Sequence, residues 1–113
     1  MGDQTFPREQ RLSRRTRFEA VLNQGRKRRV GRVCTLFFLP NDLNRTRLGI
    51  IASRKVGKAV IRNRAKRRIR EIFRLNKERF SAGTDVVVIS SKYLPHVPFK
   101  ELERQILSHL PRP

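Results

Sequence analysis

The sequence predicts an α+β fold of α-β-β-β-α-β-α order, a sandwich of a four-stranded sheet and helices. Three observations predict it. Short, nearly continuous apolar runs at 33–39, 48–53 and 85–90 have the length and composition of strands covered on both sides. Apolar residues recur at helical spacing over 13–24, 59–79 and 98–110. Turn-forming residues separate these stretches, most densely at 40–46, PNDLNRT. With 113 residues, 37% of them apolar, residues 1–113 are expected to form one domain with a modest core.

Residues 1–11 are polar, contain Pro7 and show no period, so they read as a flexible basic N-terminal arm. Residues 13–24 then read as a helix. Thr16-x-x-Glu19 is a candidate capping box and Ser13 an alternative N-cap. Phe18, Val21 and Leu22 form its apolar face, and Gly25 suits a C′ stop. The run 26–30 is a short edge strand with a turn or bulge at Gly31. In 33–39, Cys34, Leu36 and Phe38 share one face; Val33, Thr35, Phe37 and Leu39 share the other. Either face is a candidate platform for unpaired bases. Residues 48–53 are read as the next strand, antiparallel to the previous one.

The long helix is expected over 59–79. Ile61, Ala65, Ile69, Ile72, Phe73 and Phe80 fall on one side of its wheel. Asn63, Arg67, Arg70, Arg74 and Lys77 run along the other, with Lys66 beside them; Arg62, Arg64 and Arg68 lie nearer the apolar boundary, where their stems can cover core. Residues 81–83 end the helix, 85–90 make a central strand, and Pro98 suits N1 of a last helix. Phe99, Leu102, Ile106 and Leu110 give that helix its buried face.

Charge decides the functional class. There are 28 Lys and Arg against 9 Asp and Glu, a net charge of +19. Residues 54–79 alone hold twelve cations and two acids, on a segment that also has an ordered apolar face. A disordered basic tail lacks such a face, so this pattern implies a folded domain that holds a polyanion, most naturally RNA. Self-repulsion at this charge weakens the compact state, and a bound polyanion should stabilise it. Along the stripe, uncharged Asn63 can both donate and accept, as reading a base edge or a 2′-OH requires.

Other classes are disfavoured. The nine acids are scattered over arms, turns and helix faces, with no pair spaced for general acid/base or two-metal work. His96 and His109 are isolated, and Gly57-Lys58 lacks the preceding glycine of a phosphate-binding loop. One cysteine, Cys34, excludes an internal disulfide and a Cys-rich zinc site, and fits a reducing compartment. No run is long and apolar enough for a membrane span, and no secretory signal is apparent, so a cytoplasmic location is expected.

The residues 48–50 (LGI), 53–60 (SRKVGKAV) and 62–73 (RNRAKRRIREIF), with Phe18-x-x-Val21-x-x-x-Gly25 upstream, resemble the bacterial ribonuclease P protein component. Arg62-Asn63-Arg64 followed by Lys66-Arg67 is the signature of that family, in the same strand-loop-helix context. The resemblance implies a left-handed β-α-β crossover, as in the second domain of ribosomal protein S5. It also implies the small subunit of a ribonucleoprotein whose catalytic RNA, with bound Mg²⁺, hydrolyses the 5′ leader from precursor tRNA. On that reading the protein has no catalytic residue and no metal site of its own. Its partners are the ribonuclease P RNA and precursor tRNA, with no membrane and no obligate protein partner. By motif, Arg62, Asn63, Arg64, Lys66 and Arg67 would contact the RNA, and Arg54, Lys55, Lys58, Arg70 and Arg74 extend that surface. A cleft between the first helix and the sheet would take the leader, with Phe18, Leu22, Thr35 and Phe37 as its residues and Phe38 as the alternative to Phe37. Leu22 departs from the family, which often has a second aromatic there. A structural ribosomal-type RNA-binding protein without a catalytic role is the competing expectation.

Overall fold

The computed structural model describes residues 10–80 and 82–110. Their order is α1 (Arg15–Gln24), β1 (Arg26–Val30), β2 (Cys34–Pro40), β3 (Arg47–Ile51), α2 (Ala59–Leu75), β4 (Thr84–Ser90) and α3 (Phe99–Ser108), with short 3₁₀ turns at Lys77–Arg79 and Leu94–His96. The four strands form one sheet in the order β1-β2-β4-β3. β1 and β2 pair antiparallel, as do β2 and β4, while β3 runs parallel to β4 through the α2 crossover. β3 therefore runs antiparallel to β2, as expected, but is not its neighbour: β4 lies between them. The apolar run of β4 suits that central place, since both its edges are paired and most of its residues are buried.

The pleat of β2 divides the core. Cys34 and Leu36 join Ala65, Ile69, Ile72 and Phe73 of α2 and Leu102 and Ile106 of α3 in the main cluster, with Phe38 packed against it. Phe37 turns the other way, with Leu12, Val21 and Val87 under α1. Burial pushes the Cys34 thiol up to about 12, which makes it a small core residue rather than a reactive one. Val33, expected on the Phe37 face, precedes the strand and drops into the main core instead. β1 presents four exposed cations, Arg26, Lys27, Arg28 and Arg29, on the open edge of the sheet, where charge discourages strand addition.

Helix ends differ from expectation in instructive ways. α1 starts after Arg14, with no side-chain cap, so neither the Thr16–Glu19 box nor Ser13 caps it. Gly25 does end it, but in extended backbone (φ −73°, ψ 159°) rather than left-handed, because the chain turns straight into β1. α2 stops at Leu75, four residues short. Asn76 breaks it, and its side-chain amide donates to the Ile72 carbonyl (2.8 Å) and to Glu103 on α3 (2.9 Å). Lys77 thus leaves the α2 stripe. Pro98 is the N-cap of α3, not N1.

The expected N-terminal arm falls largely on residues 1–9, outside the described residues. Its last residue, Arg11, and the Leu12 that follows are tied to the sheet. Arg11 bridges to Leu48 in parallel, the Leu12 amide donates to the Leu48 carbonyl (2.9 Å), and Leu12 is buried in the α1-side cluster.

Candidate RNA interface

The outer face of α2 is fixed by its inner one. Ala65, Ile69, Ile72 and Phe73 are buried, so Asn63, Arg64, Arg67 and Arg74 face outward. Val60, passed over in the sequence, lies one turn before Asn63 and Arg64 and is 71% exposed, so this arc offers apolar as well as cationic contacts. Arg70 departs from the expected stripe: it is half-buried and swings toward the sheet edge. Arg74 is held by Glu71 through two hydrogen bonds of 3.0 and 2.6 Å. Arg62 and Arg68 do lie at the apolar boundary, Arg62 donating to the Gly57 carbonyl (3.0 Å) and Arg68 to the Val97 carbonyl; Arg64 is fully outside it.

The loop before α2 carries Arg54, Lys55 and Lys58, all exposed. It is not slack. Val56 is buried in the main core, its amide donates to Ser53 (2.9 Å), and the Gly57 amide donates to Arg54 (3.1 Å). With Arg62 bonded to Gly57, the loop cations are held in a set position relative to Asn63. Pre-placed cations lose less conformational entropy on meeting a phosphate.

On the other face, α1 crosses the sheet and leaves part of it open. Phe18 lies directly over Gly49 of β3; a Cβ there would sit 2.5 Å from the ring. Phe37, not Phe38, faces α1, which settles the strand register. Phe37 is only 9% exposed, however, so little of its ring is available for stacking. Lys27 of β1 stands over it, 6.0 Å from the centroid. The open strip is instead one row further along: Thr35, Ile89 and Ile51 are paired across the three strands and all half-buried, with Leu22 half-buried in the helix above the sheet.

The two surfaces meet. Phe18, Lys66 and Arg70 line one small pocket of about 120 Å³ together with Arg11 and Gly49 at the β3 edge. Partial burial, and then the nearby charge of Arg11, lower the pKa of Arg70. A bound anion would offset both effects.

α1 is tied down by a polar clamp. Asp85 of β4 is fully buried and accepts from Arg17 of α1 (2.5 Å), from Arg47 of β3 (both oxygens, 2.8 Å) and from Asn41 (2.8 Å). Burial alone would raise its pKa; the hydrogen bonds from Arg47, Asn41 and Arg17 and the Arg47 charge outweigh that and hold it below the usual carboxylate range. Other acids are likewise engaged: Glu71 with Arg74, Glu101 with Arg104, Glu19 with Arg15 and Glu103 with Lys100. Among the described residues no group of three His, Cys, Asp or Glu side chains gathers that could hold a metal ion. His96 is exposed in a 3₁₀ turn, and the His109 ring meets the Gln105 carbonyl at 2.8 Å. No helix among the described residues is long and apolar enough to cross a membrane.

Fold and site together define a small α+β domain with a cationic helix-and-loop surface beside a half-covered sheet face. The chain belongs to the ribonuclease P protein component family: the model described as Ribonuclease P matches residues 6–112. A relative from Thermotoga maritima is 37% identical over 113 residues, covering 96% of each chain, and one from Desulfatibacillum aliphaticivorans is 42% identical over 92 residues, covering 81% of this chain and 77% of the relative. Both are named ribonuclease P protein component. The fold is similar to the solved ribonuclease P protein of Thermotoga maritima (TM-score 0.80, 36% identity, 88% of this chain and 94% of that one) and to that of Staphylococcus aureus (TM-score 0.79, 27% identity, 88% and 91%).

Proposed function

We propose that this chain is the RNA-positioning subunit of a ribonuclease P ribonucleoprotein in the cytoplasm. The outer arc of α2 and the loop before it, from Arg54 to Arg74, hold the catalytic RNA by its phosphates, with Asn63 as the uncharged reader. The open strip of Thr35, Ile51 and Ile89 beneath α1, with Phe18 and Leu22 at its wall, takes the single-stranded 5′ leader of precursor tRNA. Hydrolysis of the phosphodiester is assigned to the RNA and the Mg²⁺ it binds: among the described residues no three ligating side chains gather, and Glu19, Glu71, Asp85, Glu101 and Glu103 are engaged with arginines, a lysine and amides. No obligate protein partner is required.

The observation that carries this reading is the shared pocket of Phe18, Lys66 and Arg70. It joins a phosphate-binding surface to an apolar groove, so one rigid domain can hold two RNA strands at a set separation. The test is reconstitution with a bacterial ribonuclease P RNA. Addition of the chain should raise cleavage of precursor tRNA at low Mg²⁺ and favour precursor over mature tRNA. Unchanged cleavage would reduce the chain to a structural RNA-binding protein, and cleavage by the chain alone would overturn the assignment of chemistry to the RNA.

A further inference from the structure

Tyr93 is a large aromatic that the fold leaves out of its core. Its side chain is 44% exposed, whereas the next two residues, Leu94 and Pro95, are fully buried and pin the backbone. Its amide donates to Ser91 Oγ (3.1 Å), its carbonyl accepts from the His96 amide (3.0 Å), and Ser91 is itself tied to the β1–β2 turn through the Val33 carbonyl (2.9 Å). The ring is therefore held out on a rigid loop. Two cations attend it: Arg32 at 6.0 Å from the centroid and Lys92 at 5.4 Å. Around them lies an open depression of about 860 Å³ that also takes in Arg29, Lys55 and Ile89. Ile89 belongs to the open strip beneath α1 as well, so the depression continues that groove toward the loop before α2.

We infer that Tyr93 is a second base-stacking site. An unpaired nucleotide leaving the groove past Ile89 stacks its base on the Tyr93 ring, and its phosphates meet Arg29, Arg32, Lys55 and Lys92. Aromatic rings accept any base, and cations already placed beside the ring serve the phosphate on either side of it. Among the described residues no acid lines the depression, so those cations face a polyanion with no competing carboxylate from that lining. This inference extends the proposed leader groove but can be judged apart from it.

Tyr93 is the only tyrosine of a chain without tryptophan, so Tyr93→Trp places a unique indole at the site. The full chain carrying it is titrated with a single-stranded heptauridylate, with excitation where the RNA absorbs little. Quenching that saturates with binding is expected. Tyr93→Ala should weaken heptauridylate binding about 5- to 150-fold, the range for one lost stack, while Tyr93→Phe should leave it unchanged. An unquenched indole, or a Tyr93→Ala chain that melts and binds like the parent, overturns the inference. The same proteins are then assembled with ribonuclease P RNA and precursor tRNAs of increasing leader length. If the parent assembly fails to prefer precursor to mature tRNA, the leader reading falls while the quenching result still decides Tyr93. If it prefers precursor and Tyr93→Ala removes only the gain from the longer leaders, both stand.

Discussion

The two faces of the sheet are packed to different depths. On the side of α2 and α3, sixteen of the described residues are buried in one cluster around Ile72, Leu36 and Leu102. On the side of α1, four are, with Phe18, Leu22, Leu39, Ile51 and Ile89 only partly covered. The thick face supplies most of the apolar burial that holds the fold together. The thin face is fastened by a buried ion cluster, Asp85 with Arg17, Arg47 and Asn41, which holds α1 in place without filling the space beside it. A polar clamp can fix position at little net gain in stability, because charges lose their hydration on burial. That trade leaves apolar sheet surface open for a ligand.

The two faces should differ most in what they contribute to stability. Ile72→Ala on the thick face should cost about 2–5 kcal/mol in denaturant unfolding, and Leu22→Ala on the thin one about 1 kcal/mol or less, since only part of its side chain leaves water. Equal costs would mean that both faces carry the fold. Next in size is Asp85→Ala, which strands two arginines that are each about a quarter exposed and should cost about 1–3 kcal/mol. Its pH dependence sharpens the case. The native pKa lies below the unfolded one, so the clamp contributes fully above the ordinary Asp range and its contribution is lost as pH falls through the native value. The stability gap between parent and Asp85→Asn should therefore narrow as acid is added, while a constant gap would show that the charge is not what Asp85 supplies.

Gly49→Ala probes the groove. The new methyl meets the Phe18 ring, and displacing that ring should cost about 1–3 kcal/mol and weaken precursor binding, with assembly on the catalytic RNA left intact. The smallest stability effect belongs to Arg67→Ala on the outer arc, within about 0.5 kcal/mol. Its effect is on assembly, where the salt dependence of RNA binding should fall by about one phosphate contact. If Gly49→Ala and Arg67→Ala impaired assembly and precursor binding alike, the two faces would not be separate binding surfaces.

Much of this was legible in the chain. The helical period of Ala65, Ile69, Ile72 and Phe73 set which side of α2 is buried, and so which side carries Asn63, Arg64 and Arg67. Less legible were ends and edges. The α2 stop depends on Asn76 reaching Glu103, a residue 27 positions away. Arg70 lies on the exposed stripe by its spacing, yet is half-buried against the β3 edge, despite the like charge of Arg11 nearby, a placement that helical spacing does not encode. Phe37 was identifiable as an aromatic on an alternating strand, but its burial under α1 was not, since alternation assigns a face and not the depth of its cover.

Element order, charge, the buried side of each helix and, through Arg62-Asn63-Arg64 in its strand-loop-helix context, the family all follow from the amino-acid sequence. Periodicity and composition are local, and local terms fix these things. The tertiary structure alone decided that β4 separates β2 from β3, that Asp85 clamps α1, that Phe37 is covered while Thr35 and Ile89 stay partly open, and that Phe18, Lys66 and Arg70 share a pocket. Each of these joins residues distant in the chain, and only packing brings them within reach of one another.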